Sequence, residues 1–213
     1  MMERPDRPYS REDLIKAINS IDNSIPSEGR SAHEYVHQLN IRTEDLESKR
    51  VLDLGSGSNL NLARQLPEEG IQAEIISFSP GFYHGKTWDR RAERADEAGT
   101  LAVAGMAEEL PFADRSFDTV LAFYVTIYLQ DSKRIEIVIS EMIRVLKPGG
   151  VAYIGPIFVL DPVRKVRGID TNRVWLDRYF IAGLLEGKAQ PTWERAPFAD
   201  REAYSIRVVK NAE

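Results

Sequence analysis

Residues 51–66 read Val51-Leu52-Asp53-Leu54-Gly55-Ser56-Gly57-Ser58-Asn59-Leu60-Asn61-Leu62-Ala63-Arg64-Gln65-Leu66. Val51 to Leu54 has the apolar character of the end of a buried strand, interrupted only by Asp53. Gly55 and Gly57 follow at once, and an amphipathic run then begins. A strand, a glycine turn and a helix in that order form a nucleotide-binding corner. Gly55 permits a turn that a Cβ would obstruct, Gly57 lets a ligand approach bare backbone, and the helix start offers free N–H groups. Asn59 stands where such corners usually carry a third glycine. A bare Gly-x-Gly also fits an ordinary strand-to-helix turn, so the surrounding chain has to decide between the two.

Outward from this stretch, short apolar strands alternate with helical segments. A helix is expected from about Asn59 to Leu66, a strand from Ala73 to Phe78 and a polar helix from Thr87 to Ala98. Strands follow at Leu101 to Ala104 and Phe117 to Phe123, then a helix from Arg134 to Leu146. Pro148-Gly149-Gly150 reads as the turn into a strand from Val151 to Ile154. A helix from Asn172 to Leu185 precedes two closing strands, Thr192 to Arg195 and Ala203 to Val209, expected as an antiparallel edge hairpin. This alternation implies right-handed crossovers and a parallel sheet with helices on both faces. Upstream, Leu14, Ile15, Ile18 and Ile21 recur at helical spacing behind a Ser10 N-cap, and a second helix is expected from Ser31 to Leu39. These helices form either a cap beside the glycine corner or a cover for a sheet edge.

The 213 residues suffice for one domain with a substantial core. Hydrophobic residues make up 43% and charged residues 29%, the balance of a soluble globular protein. A net charge of −5 gives no support to nucleic-acid binding through a generally basic surface. The absence of cysteine removes disulfides, thiolate metal sites and cysteine nucleophiles, and agrees with the expected cytoplasmic location. The proline-rich, charged start lacks the apolar core of a signal peptide, and no apolar run approaches membrane-spanning length. His33 and His37 lie at i and i+4, but no third ligand stands at fitting spacing, so no metal is expected.

Three blocks, in order, carry a resemblance. They are Val51-Leu52-Asp53-Leu54-Gly55-Ser56-Gly57; Gly105-Met106-Ala107-Glu108-Glu109-Leu110-Pro111-Phe112 with Ser116-Phe117-Asp118; and Glu141-Met142-Ile143-Arg144-Val145-Leu146-Lys147-Pro148-Gly149-Gly150. From about Lys49 to Pro156 the chain resembles class I S-adenosylmethionine-dependent methyltransferases of the small-molecule type. The resemblance implies an α/β, doubly wound, Rossmann-like fold: a mostly parallel seven-stranded sheet with its last strand antiparallel. The residues themselves suggest a flexible arm at 1–10, poor in apolar surface, and an N-terminal helical cap at 11–48, followed by the methyltransferase-like domain at 49–213. By resemblance, Asp53, Gly55 and Gly57, with Ser56 and Asn59 of the same turn, line the methionine part of S-adenosylmethionine. Ser77 and Phe78 meet the ribose, Met106 and Ala107 the adenine, and Phe123 the methyl-donating end. Tyr124, Tyr128 and His84 are the candidate contacts to a small-molecule acceptor.

Three positions depart from the family pattern. Asn59 replaces the third glycine, Ser77 the usual acid at the end of the second strand, and Met106 the Asp that accepts from the adenine amino group. Hydrogen bonds to charged groups contribute about 1.5–3 kcal/mol each, so losing two costs about 3–6 kcal/mol, a factor of about 10²–10⁴ in affinity. Ser77 or Ser79 can recover part of this with a neutral bond, and Glu108 stands close enough to substitute for the adenine acceptor. Two functions therefore follow. One is methyl transfer to a small molecule from an atypical adenosine pocket. The other is a non-catalytic binding or regulatory protein of the same fold with weakened or lost cofactor binding. Methyl transfer needs positioning more than a general base, and no catalytic residue is assigned.

Overall fold

Seven strands hydrogen-bond into one sheet: β1 (Arg50–Leu54), β2 (Glu74–Ser79), β3 (Leu101–Ala104), β4 (Phe117–Phe123), β5 (Leu146–Phe158), β6 (Ala189–Ala196) and β7 (Ala203–Lys210). Their order is β3-β2-β1-β4-β5-β7-β6. The first five run parallel, and β7 lies antiparallel between β5 and β6. The structure is a computed structural model and describes residues 30–57, 59–80, 93–129, 132–158, 178–197 and 203–212. The helices within these residues are α1 (Ala32–Gln38), α2 (Asn61–Gln65), α3 (Thr126–Leu129), α4 (Ser132–Val145) and α5 (Arg178–Leu185), with a further helical turn at 93–97 and a 3₁₀ turn at Thr43–Asp45.

A central parallel strand is covered on both faces, so both sets of alternating side chains must be compatible with burial. On β1, Leu52 and Leu54 belong to the core under α4 and α5, with Ile76, Phe78, Val120 and Ile154. Val51 belongs to the opposite core, with Tyr35 and Leu39 at the α1 side, Leu62, Ile75, Leu121 and Tyr153. Asp53 follows Val51 by two residues and so takes this second face. Helix α4 faces the sheet with Ile135, Val138, Ile139, Met142 and Ile143, the i, i+3, i+4, i+7, i+8 stripe of an amphipathic helix.

The two later sequence blocks are stapled together. Arg144 of α4 donates to the carbonyls of Leu110 and Phe112 at 3.0 and 2.8 Å, and pairs with Glu141 and Asp114. Glu141 also accepts from the Leu110 N–H at 2.8 Å. The Glu141 carboxylate, then Asp114, holds the guanidinium charged against the opposing effect of burial. Close by, near the amino end of β4, Asp118 accepts from the Arg50 N–H and from Lys147 Nζ. Tyr153 donates to Asp45, which pairs with Arg207 at 2.9 Å, tying the 3₁₀ turn to β5 and β7.

The alternating pattern and the closing hairpin are as expected, and so are the limits of β3 and β4. Three details differ. Helix α2 begins at Asn61 because Leu60 is left-handed (φ 53°) and cannot extend it. The expected turn at Pro148–Gly150 lies inside β5, since Leu146 already pairs with Phe117 before a bulge resets the register to Thr119 with Val151. Tyr124 turns left-handed (φ 62°) after β4, and the apolar run beyond it forms the short helix α3, where the sequence pattern predicts no element. The expected arm, the first cap helix and the starts of the helices at Thr87 and Asn172 lie outside the described residues. Replacing Arg144 with Ala strands two loop carbonyls and a buried-side carboxylate. It should cost about 1–3 kcal/mol in urea unfolding, whereas Asp114→Ala should leave the midpoint near that of the wild type; equal effects of the two would contradict this staple.

Candidate functional site

The strand order brings four sequence blocks to one edge. Met106 and Ala107 follow β3, Ser77 and Phe78 lie near the end of β2, Asp53 to Asn59 leave β1, and Phe123 and Tyr124 end β4. This is the carboxyl edge of adjacent parallel strands, where open α/β sheets bind ligands. The turn after β1 is anchored by two backbone bonds, Gly55 N–H and Ser56 N–H to the Phe78 carbonyl at 2.8 and 3.2 Å. Gly55 (φ +82°) has Val125 Cγ2 only 2.8 Å from where a Cβ would sit, whereas a Cβ on Gly57 (φ +71°) would meet open space. The two glycines thus differ: the first packs against protein, and the second leaves backbone bare to an incoming molecule.

Asp53 is fully buried, and its Oδ1 accepts from Tyr35 Oη at 3.0 Å. Its Oδ2 has no partner among the described residues, and neither do Ser56 Oγ and Thr126 Oγ1. Burial raises the Asp53 pKa to about 7, with the Tyr35 hydrogen bond opposing it. Tyr35 is itself pushed well above the usual phenol range, by burial and then by Asp53, so it is the donor at neutral pH. Buried polar atoms left unpaired are costly. One carboxylate oxygen and two hydroxyls around a bare glycine turn form a donor set suited to a zwitterion: an acceptor for an ammonium and hydroxyl donors for a carboxylate.

Along the same edge the side chains expected at the ribose are otherwise engaged. Thr100 Oγ1 donates its one hydrogen to the Ile75 carbonyl at 2.7 Å, so Ser77 Oγ, 3.3 Å away, is the donor to Thr100. Ser77 is fully buried and turned into the α1 side of the sheet, and it does not offer its hydroxyl at the edge. Phe78 is a core residue; its ring packs on Phe112 and against Gly105. Asn59 Oδ1 accepts from Arg94 Nη1 at 2.8 Å, linking the glycine turn to the helical turn at 93–97. Met106 and Ala107 are part-exposed. Glu108 is buried and paired through Oε1 with Arg134 at 2.5 Å, while its Oε2 has no partner among the described residues.

Phe123 is buried beneath Tyr35 at 4.6 Å between ring centroids. Tyr124 remains part-exposed, with the Arg30 guanidinium 4.3 Å above its ring. Tyr128 falls in α3, but its side chain, like all of His84, lies outside the described residues. Tyr35, Thr126 and Arg30 were not among the residues singled out from sequence. The i, i+3, i+7 spacing of Ala32, Tyr35 and Leu39 was the available signal for a buried Tyr35. A shallow depression of about 570 Å³ lined by Lys49, Arg50, Glu74, Asp118 and Lys147 lies at the opposite, amino end of β1, away from this edge.

A family model described as a methyltransferase domain matches residues 52–154. The bifunctional biotin-biosynthesis protein BioHC of Cellvibrio japonicus is 32% identical over 148 residues, which is 68% of this chain and 27% of that protein. The chain spans only 27% to 57% of the length of three curated relatives that it matches. A methyltransferase structure described as S-adenosylmethionine-dependent, from Methanosarcina mazei, superposes with a TM-score of 0.57 at 17% identity, covering 84% of this chain and 96% of that one. The [4+2]-cyclase SpnF superposes at 0.60 with 16% identity, over 93% and 91%. At these identities the structural matches establish the fold. Among the described residues no helix is long and apolar enough to cross a membrane.

The raised pKa of Asp53 gives a sign for stability against pH. The folded protein retains this proton up to about 7 while the unfolded chain releases it near 3.8, so the contribution is whole below the lower value and lost as pH rises through the upper one. Asp53→Asn keeps an acceptor for Tyr35 and removes the titration. Its stability relative to wild type should improve by about 1–4 kcal/mol between acid and mildly alkaline solution; parallel pH profiles in urea unfolding would contradict the buried, neutral carboxyl.

Proposed function

We propose that the chain, whose residues 52–154 match a methyltransferase-domain family model, transfers a methyl group from S-adenosylmethionine to a small-molecule acceptor. The observation that carries this reading is the set of unpaired buried atoms at the glycine turn, Asp53 Oδ2, Ser56 Oγ and Thr126 Oγ1, beside the bare backbone of Gly57. When bound, the cofactor supplies an electrophilic methyl on its sulfonium. The chain's own residues hold and orient. Asp53 accepts from the ammonium, Ser56 and Thr126 donate to the carboxylate, and Met106 and Ala107 cover the adenine. Glu108 Oε2 is the remaining acceptor for the adenine amino group, in place of the missing Asp. Tyr124, stacked under Arg30, flanks the acceptor, together with Tyr128 and His84. With the nucleophile held in line, positioning supplies most of the acceleration.

A second reading has one observation in its favour. Ser77 donates inward to Thr100 instead of replacing the ribose-binding acid, which supports a fold kept for binding with weakened cofactor affinity. Isothermal titration with S-adenosylmethionine separates the two. Saturable binding, abolished by Gly57→Val, is expected; no heat at about millimolar ligand, below about 4 kcal/mol of binding free energy, sinks the enzyme. Wild-type affinity in Gly57→Val would place any ligand elsewhere.

A further inference from the structure

Helix α1 is fixed to the domain without help from the Tyr35 hydroxyl. Ser31 and Glu34 form a reciprocal capping box, and the Ala32 N–H donates to Gln65 Oε1 of α2 at 2.9 Å. Ala32 and Leu39 are buried on the same face, and the Tyr35 ring packs on Phe123. A phenylalanine would satisfy all of this packing. The hydroxyl adds one interaction, the bond to Asp53 Oδ1, across 18 residues of sequence and out of contact with solvent. A carboxylate held at one oxygen has its plane fixed, which fixes where the other oxygen points. That other oxygen, Oδ2, is the one without a partner.

We propose that Tyr35 is a positioning residue of the cofactor site, clamping Asp53 so that Oδ2 is presented to the ammonium group of S-adenosylmethionine, and that α1 is thereby a working wall of the site rather than only a cover. The proposal rests on the reading of the glycine turn as the methionine end of the cofactor site. A donor on Oδ1 and an ammonium on Oδ2 together offset the burial that otherwise keeps the carboxyl protonated near neutrality. Tyr35 alone leaves the group poised; the ligand completes the ionisation. The surroundings add little else. Arg30 and Glu34, on the segment that carries Tyr35, act on the phenol with opposite signs. The register neighbours of Asp53 on β2 and β4, Ser77 and Leu121, carry no charge.

The test is isothermal titration of the full chain with S-adenosylmethionine across about pH 5.5 to 7.5, for wild type, Tyr35→Phe and Asp53→Asn, with a melting curve of each apo protein. Wild-type affinity should rise with pH as Asp53 ionises. Tyr35→Phe should melt near the wild-type temperature yet bind about tenfold or more weakly at neutral pH, with the rise displaced to higher pH. Asp53→Asn should show no rise. Loss of the cofactor's own ammonium above about pH 7.7 is common to all three. Tyr35→Phe with wild-type affinity and wild-type pH profile overturns the proposal alone, whereas a wild type that binds nothing overturns the site reading with it. Should Tyr35→Phe fail to fold, a wild-type affinity flat over this range is sufficient to overturn it.

Discussion

Asp53 lies on the central strand with both neighbours paired to it, and burial there penalises its charge heavily unless partners compensate. Among the described residues the compensation is partial and comes from one hydrogen bond, donated by Tyr35 from a helix that precedes the sheet in sequence. Much of the local design follows from that need. Helix α1 must be held at a fixed height over β1 and β4, which the capping box, Gln65 and the Tyr35–Phe123 ring contact achieve. The turn beyond Asp53 is held by the Gly55 and Ser56 N–H groups, both donating to the Phe78 carbonyl, and this leaves the Gly57 backbone without a side chain over it.

The architecture was legible in the sequence because its signals are local. Mostly apolar runs at β1 and β4, broken at Asp53 and at Asp118-Thr119, belong to strands buried on both faces, and the amphipathic stripe of α4 announces its own orientation. The Leu110–Phe112 and Glu141–Gly150 blocks were recognisable as a pair; the structure gives a physical reason in the Arg144 guanidinium, which spans the two. What the sequence concealed depends on non-local geometry. The start of β5 pairs with Phe117 across a bulge, so a Pro-Gly-Gly segment that reads as a turn is carried inside a strand. Tyr35 sits in a helix of otherwise polar appearance, and only the depth of α1 over the sheet reveals that its hydroxyl reaches Asp53.

At the ligand edge, composition was a poorer guide than at the turn. Ser77 stands where the family resemblance leads one to expect an acid, and by residue type it offered a hydroxyl there. Thr100 decides otherwise, because its hydrogen is spent on the Ile75 carbonyl and its oxygen then takes the Ser77 proton. Asn59 is similarly committed to Arg94, converting the missing third glycine into a link between the turn and the helical turn at 93–97. Two of the departures from the family pattern, Asn59 and Ser77, are thus built into the protein's own hydrogen bonding, while Asp53 Oδ2, Ser56 Oγ and Thr126 Oγ1 have no partner among the described residues.

A crystal structure of the chain with S-adenosylhomocysteine tests the account most directly. The amino group should lie within hydrogen-bond distance of Asp53 Oδ2, with Oδ1 still accepting from Tyr35, the homocysteine portion over Gly57 and no contact between Ser77 and the ribose. A ligand bound away from this turn, or an Asp53 carboxylate turned from Tyr35 to meet it, would contradict the account.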